Sequence, residues 1–296
     1  MVRTALAISL IALSAACAAP NPSAPASPAA DPTAPAAPTA PLAAPSAPAM
    51  RLPADAAAPA PTGQTRHTYS QCHVDGPYIA ITFDDGPHAE NTPRLLDMLK
   101  QRGIKATFFV VGQCAAEFPD IMKRIVTEGH EVANHSWSHP QLTRLGEGSV
   151  TDQLQRTHDV IRQTTGVSTK LLRPPYGAFT TNQRAWAAQK WGYKTIMWDV
   201  DPLDWKFRNA DHVKNEILKG TVNGSIILAH DIHKSTVDAM PGTFDGLLAK
   251  GFKFVTVSEL VAMDRPLPPK PKATPASAPP MTDAAKPTAA AGAAAR

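Results

Sequence analysis

Across residues 78–257, short apolar runs rich in β-branched and aromatic residues alternate about seven times with amphipathic stretches. Such alternation demands parallel strands, because each strand is followed by a helix that carries the chain back across the sheet. The runs at 78–83, 106–111, 130–133, 169–172, 195–198, 225–228 and 253–257 read as strands. Helices are expected over 91–101, 115–128, 149–165, 182–190, 210–218 and 244–250. In the first of these Leu95, Leu96 and Leu99 share one face, and Gly103 stops it. The pattern fits a (β/α) barrel or an open doubly wound sheet, and periodicity alone does not choose between them.

Composition limits how much of the chain can fold. Of 30 prolines, 13 lie within 18–63 and 8 lie after Asp264, whereas every Trp, Tyr and Phe lies within 69–254. The folded unit is therefore expected at 67–264, about 200 residues, enough for a single core. Residues 18–66 are a Pro/Ala-rich linker with too little apolar surface to fold, and 265–296 form a tail of the same character. Residues 1–17 read as an export signal: Arg3, then an apolar run at 5–13, then small residues ending at Cys17. Two readings stand for its end, a lipobox whose Cys17 is lipidated and ordinary cleavage within 16–19. The chain is expected outside the cytoplasm, periplasmic or at the cell surface, touching a membrane only through a lipid anchor at Cys17. A formal net charge of +4, scattered along the sequence, gives no basic stripe and argues against nucleic-acid binding. Cys72 and Cys114 form an even pair in an exported domain and are expected to be bridged.

Residue types that carry chemistry follow the strands, which is where α/β barrels build their sites. Asp84-Asp85-Gly86-Pro87 is either a turn with solvated acids or a metal ligand beside a base, since adjacent carboxylates on an extended backbone point apart. His135 and His139, four apart, would share one face of a helical turn, a geometry suited to binding zinc. His130 reads as a strand residue rather than a ligand. Arg173-Pro174-Pro175-Tyr176-Gly177 is a rigid loop whose Arg is either simply exposed or orients a carboxylate. Asp199, Asp201 and Asp204 beside Trp205 suit sugar binding, although Trp205 could equally be core. His230, after the run ending at Leu228, is either a packed core histidine or an acid–base group.

Taken together and in this order, these motifs resemble the polysaccharide deacetylase family, carbohydrate esterase family four, over 78–260. The resemblance implies a distorted (β/α) barrel of about seven repeats. It implies a divalent metal, Zn2+ or alternatively Co2+ or Ni2+, held by Asp85, His135 and His139. Asp84 would be the general base, Arg173 its orienting partner, His230 the general acid and Asp201 the acid that tunes it. Trp205 and Leu228 would wall an acetyl pocket, and the Tyr176 amide would help hold an oxyanion. The implied reaction is hydrolysis of acetyl groups from N-acetylglucosamine units of a glycan, by a monomer. An O-acetyl esterase and an inactive glycan-binding envelope protein are the rival readings.

Overall fold

The computed structural model describes residues 66–265. The signal segment, Cys17, nearly all of the linker and the C-terminal tail lie outside the described residues. Among the described residues eight strands form: β1 (Thr68–Tyr69), β2 (Tyr78–Asp84), β3 (Thr107–Val110), β4 (Glu131–Asn134), β5 (Leu171–Leu172), β6 (Lys194–Ile196), β7 (Ile226–His230) and β8 (Lys253–Phe254). Between and after them run α1 (Asn91–Arg102), α2 (Gly112–Glu117), α3 (Pro119–Thr127), α4 (Glu147–Thr165), α5 (Thr181–Trp191), α6 (Asp204–Phe207), α7 (Ala210–Gly220), α8 (Lys234–Ala249) and α9 (Val257–Ala262).

The strands pair in parallel in the order β1-β6-β5-β4-β3-β2-β7, and β8 joins the start of β2. Two bridges settle the choice between barrel and open sheet. Gln71 meets Ser225, and Val200, just past β6, meets Ile227, where the Leu228 amide donates to the Val200 carbonyl at 2.9 Å. These contacts join the β6 side to β7 and close the barrel. It is distorted because β1 and the Val200 segment together fill the place of one continuous strand.

Alternation along β2 sorts the two cores. Ile79, Ile81 and Phe83 pack outward with Leu95, Leu96 and Leu99 of α1 and with Phe244 and Leu247 of α8. Each such buried side chain contributes about 1.5–3 kcal/mol. Ala80 points inward with Phe109, Ala133, Leu171, Ile196 and Ile226. The inward parity carries Thr82 and Asp84 toward the C-terminal mouth. At the opposite mouth α9 inserts Val257, Leu260 and Val261 into the inner cluster. The Val257 amide donates to Thr107 Oγ1 at the start of β3.

Three expectations change. The stretch at 115–128 is two helices, because Pro119 lacks an N–H and starts a new helix at its first position. Helix α8 starts ten residues earlier than its apolar pattern suggested, with Pro241 and two glycines masking it. A Cβ on Gly246 would come within 2.7 Å of the end of Leu218 on α7, which would have to turn aside. The Cys72–Cys114 bridge is not formed. Cys72 is tied at the N-terminal mouth, its amide donating to the Gly224 carbonyl, whereas Cys114 lies in α2 beyond the far end of β3. A disulfide needs Cα atoms within ~7 Å, and the barrel separates these two.

Candidate active site

The C-terminal strand ends converge on one polar centre. Asp84 is the last residue of β2, and Asp85 follows in the left-handed region at φ 75. That turn breaks the alternation expected of an extended pair, so both carboxylates reach the same imidazole. His135 Nε2 lies 3.7 Å from Asp84 Oδ2 and 3.4 Å from Asp85 Oδ1. His139 Nε2 lies 3.3 Å from the same Asp85 oxygen. His135 and His139 do not share a helical turn: they belong to an irregular loop after β4 with Ser136 at φ 68 and His139 at φ 57. Left-handed backbone at these two points, rather than helical spacing, brings the rings to 4.9 Å between centroids.

Arg173, just past β5, is fully buried at 0 % exposure and crosses the barrel interior. Its Nη1 donates to Asp84 Oδ1 and to Thr82 Oγ1, each at 2.6 Å, and its Nε and Nη2 donate to the Ile196 and Met197 carbonyls. The guanidinium lies 4.1 Å from the Phe109 ring centroid. A buried cation so fully bonded locks the Asp84 carboxylate in place. The Arg173 carbonyl accepts from His135 Nδ1 at 2.7 Å, which turns Nε2 toward the carboxylates.

Electrostatics separate the groups. Burial pushes the Asp85 carboxyl up, but contact with His135 and the charges of His139 and His230 outweigh it and hold the group well below the usual carboxylate range. Burial, reinforced by the charge of His135, lowers His139 to about 4, so its imidazole is neutral at physiological pH. Donor atoms of Asp85, His135 and His139 all lie within 4.8 Å of one another. Asp85 Oδ1 is buried and makes no hydrogen bond, although buried acceptors almost always make one. An orphaned carboxylate oxygen between two imidazole nitrogens is a donor set that fits a divalent cation.

Across the mouth, His230 ends β7. Its Nδ1 lies 2.7 Å from Asp204 Oδ1, and its amide donates to Asp204 Oδ2 at 2.8 Å. The expected tuning acid, Asp201, is elsewhere: its carboxylate accepts from the Leu203 amide in a local turn. Asp204 takes the place because Leu203, at φ 52, starts α6 there and buries the Asp204 side chain against β7. The sequence offered three acids in this run and no sign of which one the turn would bury. Burial works against the His230 cation, but the hydrogen bond and charge of Asp204 prevail and raise its pKa to about 9. Asp204 moves oppositely: burial pushes it up, and its hydrogen bond with His230 brings it below the ordinary value.

The remaining expected residues frame this centre. Tyr176 sits at φ 60 in the loop after Arg173, 67 % exposed, its ring edge-on to His139 at 4.7 Å. Leu228 is buried two residues before His230, on the same strand face. Trp205, on α6, is 51 % exposed rather than core. His130 is no part of the centre; it precedes β4, and its Nδ1 accepts from the Ala106 amide at 3.2 Å. Sequence reasoning placed Thr82 and Asp231 in its motifs but gave neither a role: Thr82 is the second anchor of Arg173, and Asp231 is buried beneath Gly86. A Cβ on Gly86 would lie 2.4 Å from the Asp231 carboxylate, so a side chain there would have to displace that buried carboxylate.

Known proteins resemble this chain in sequence and in fold. The family described as polysaccharide deacetylase matches residues 73–196. Peptidoglycan-N-acetylglucosamine deacetylase PgdA of Listeria monocytogenes is 43 % identical over 182 residues, 62 % of this chain but only 38 % of the relative's length. A peptidoglycan-N-acetylglucosamine deacetylase of Bacillus cereus is 40 % identical over 193 residues, covering 62 % of this chain and 70 % of the relative. The structure of peptidoglycan deacetylase PdaC from Bacillus subtilis superposes with a TM-score of 0.60 at 38 % identity, over 65 % of this chain and 91 % of that one. Similarity at this level over most of a relative's length, in sequence and in fold alike, makes the chain a member of the polysaccharide deacetylase family.

Proposed function

We propose that the chain hydrolyses the acetamide of N-acetylglucosamine units in a cell-envelope glycan, peptidoglycan before chitin-type oligomers. The observation that carries this reading is a carboxylate, Asp84, held by a buried Arg173 beside a second carboxylate and two imidazoles, with a buried Asp–His pair opposite. Names of relatives point to the wall polymer: N-acetylglucosamine deacetylases in Listeria and Bacillus cereus, and an N-acetylmuramic acid deacetylase in Bacillus subtilis.

Asp85, His135 and His139 would hold the metal, with Zn2+ the choice for a set of two imidazoles and one carboxylate, and Co2+ or Ni2+ able to replace it. When bound, that ion polarises the acetyl carbonyl and lowers the pKa of water from ~15.7 toward ~7. Asp84 accepts the proton of the attacking water, and Arg173 keeps the carboxylate aimed. As oxygen bonds to the carbonyl carbon, negative charge grows on the carbonyl oxygen, which the Tyr176 amide would stabilise. His230 then gives its proton to the sugar nitrogen as the C–N bond breaks, so acetic acid and an uncharged amine leave, with Asp84 protonated and His230 neutral. Leu228 and Trp205 would border the acetyl and the sugar. Export, a lipid anchor at Cys17 and action as a monomer complete the proposal.

Acetate release from peptidoglycan, chitooligosaccharides and acetylxylan is the direct test. Peptidoglycan should be the best substrate, chelator should stop release, and added Zn2+ should restore it. Release undiminished in excess chelator would sink the metal-dependent mechanism. Release from acetylxylan alone would replace the amidase by an esterase, and no release at all would favour an inactive glycan binder.

The Asp204–His230 pair predicts a pH dependence. Its contribution to stability is complete below the ordinary histidine pKa, ~6.5, and fades as pH rises through about 9. The proton needed by the leaving amine is lost as pH passes about 9. Asp204→Asn should move the alkaline limb of kcat down by about 1–3 pH units, the effect of removing one opposite charge in contact. An unmoved limb would show that another group supplies that proton.

A further inference from the structure

The loop bearing His135 and His139 has no regular secondary structure, yet Ser136 and His139 both occupy the left-handed region. A non-glycine residue there is strained and stays only where its surroundings over-determine it. The backbone hydrogen bonds of the loop identify those surroundings. Each of the four amides after His135 donates to a side chain. Ser136 donates to Asn134 Oδ1 at 2.9 Å and His139 to Ser136 Oγ at 3.2 Å. Trp137 and Ser138 both donate to a single atom, Gln153 Oε1, at 2.9 Å each. Gln153 Nε2 also donates to Ser138 Oγ at 3.0 Å. From the other side, the Gly112 and Gln113 amides at the start of α2 donate to the Ser136 and Trp137 carbonyls, each at 3.0 Å.

Gln153 lies on α4 and supplies no donor to the Asp85–His135–His139 centre. We infer that Gln153 is a positioning residue for metal uptake: one carboxamide oxygen fixes the two central amides of the loop and so sets how His135 and His139 converge on Asp85. The inference rests on the metal-dependent reading above. Without that acceptor two amides lose their partner together, the left-handed residues can relax, and the imidazoles are free to part. The Asn134 and α2 contacts remain, so the fold does not depend on it.

Full-length Gln153→Met keeps side-chain length and removes the acceptor, while Gln153→Glu keeps an oxygen for both amides. Zn2+ affinity, measured by competition with a chromophoric chelator, should fall about 10–100-fold in Gln153→Met, the usual cost of losing an outer partner of a metal ligand. The metal-free melting temperature should stay near wild type, and Gln153→Glu should retain wild-type affinity. The absorption spectrum of bound Co2+ should change in Gln153→Met and not in Gln153→Glu. Wild-type affinity in Gln153→Met would overturn the inference and leave the deacetylase reading intact. So would an equal loss in both variants accompanied by a lower metal-free melting temperature. A wild-type chain that binds no Zn2+ would overturn both.

Discussion

Asp84→Asn is expected to keep its metal and its fold while kcat falls by about 10²–10⁴, the ordinary cost of removing one acid–base group. The carboxamide is isosteric with the carboxylate, so its oxygen can still accept the Arg173 Nη1 hydrogen bond now made at 2.6 Å. What disappears is a site for the water proton and the charge that balances a guanidinium with 0 % exposure. Some stability should go with it, because an uncompensated buried charge is costly, although the three other side-chain bonds of Arg173, one to Thr82 and two to carbonyls, remain. The check is kcat together with bound-metal content for Asp84→Asn and Asp85→Asn. Loss of metal in Asp84→Asn with retention in Asp85→Asn would reverse the two carboxylates.

Replacing either histidine by alanine should abolish metal binding and turnover together, yet the two variants should differ in stability. His139 is neutral at physiological pH and partly exposed, and its ring packs on Tyr176. His139→Ala should therefore cost about 1 kcal/mol in the metal-free protein. His135 stands between Asp84 and Asp85 and donates from Nδ1 to the Arg173 carbonyl. Burial opposes its protonation, but the charge of Asp84 and contact with Asp85 raise its pKa. His135→Ala leaves two carboxylates facing each other and a buried carbonyl without its donor, a loss of about 3–5 kcal/mol. Calorimetry of the metal-free variants separates these effects. Equal melting temperatures would mean that His135 is not the link between the carboxylates and Arg173.

Much of this architecture is legible in the sequence, for physical reasons that also explain the misses. Helices α1 and α4 fall within two residues of their expected bounds because each carries a clear apolar face and ends at a left-handed glycine, Gly103 and Gly166. Closure of the barrel is not legible, since it rests on single bridges at Gln71 and Val200 that no periodicity encodes. Among the site residues, those at strand ends could be located by counting along the strand. Those placed by left-handed backbone could not. Asp85, Ser136, His139, Tyr176 and Leu203 all have positive φ without being glycine, and no residue type announces it. The irregular histidine loop and the exchange of Asp201 for Asp204 both follow from that one cause.

The two ends of the described domain are tied together on the face away from the chemistry. Arg66 reaches Asp264 at 3.1 Å, the His73 amide donates to the same carboxylate at 2.7 Å, and Arg265 pairs with Asp75. This knot lies at the mouth stoppered by α9, opposite the strand ends that carry Asp84, His135 and His230. Its consequence is mechanical. A pull on the chain before Arg66 or after Arg265 enters the domain at one pole and is shared among these ion pairs. The load has no direct route through the Asp85–Gly86 turn or the histidine loop.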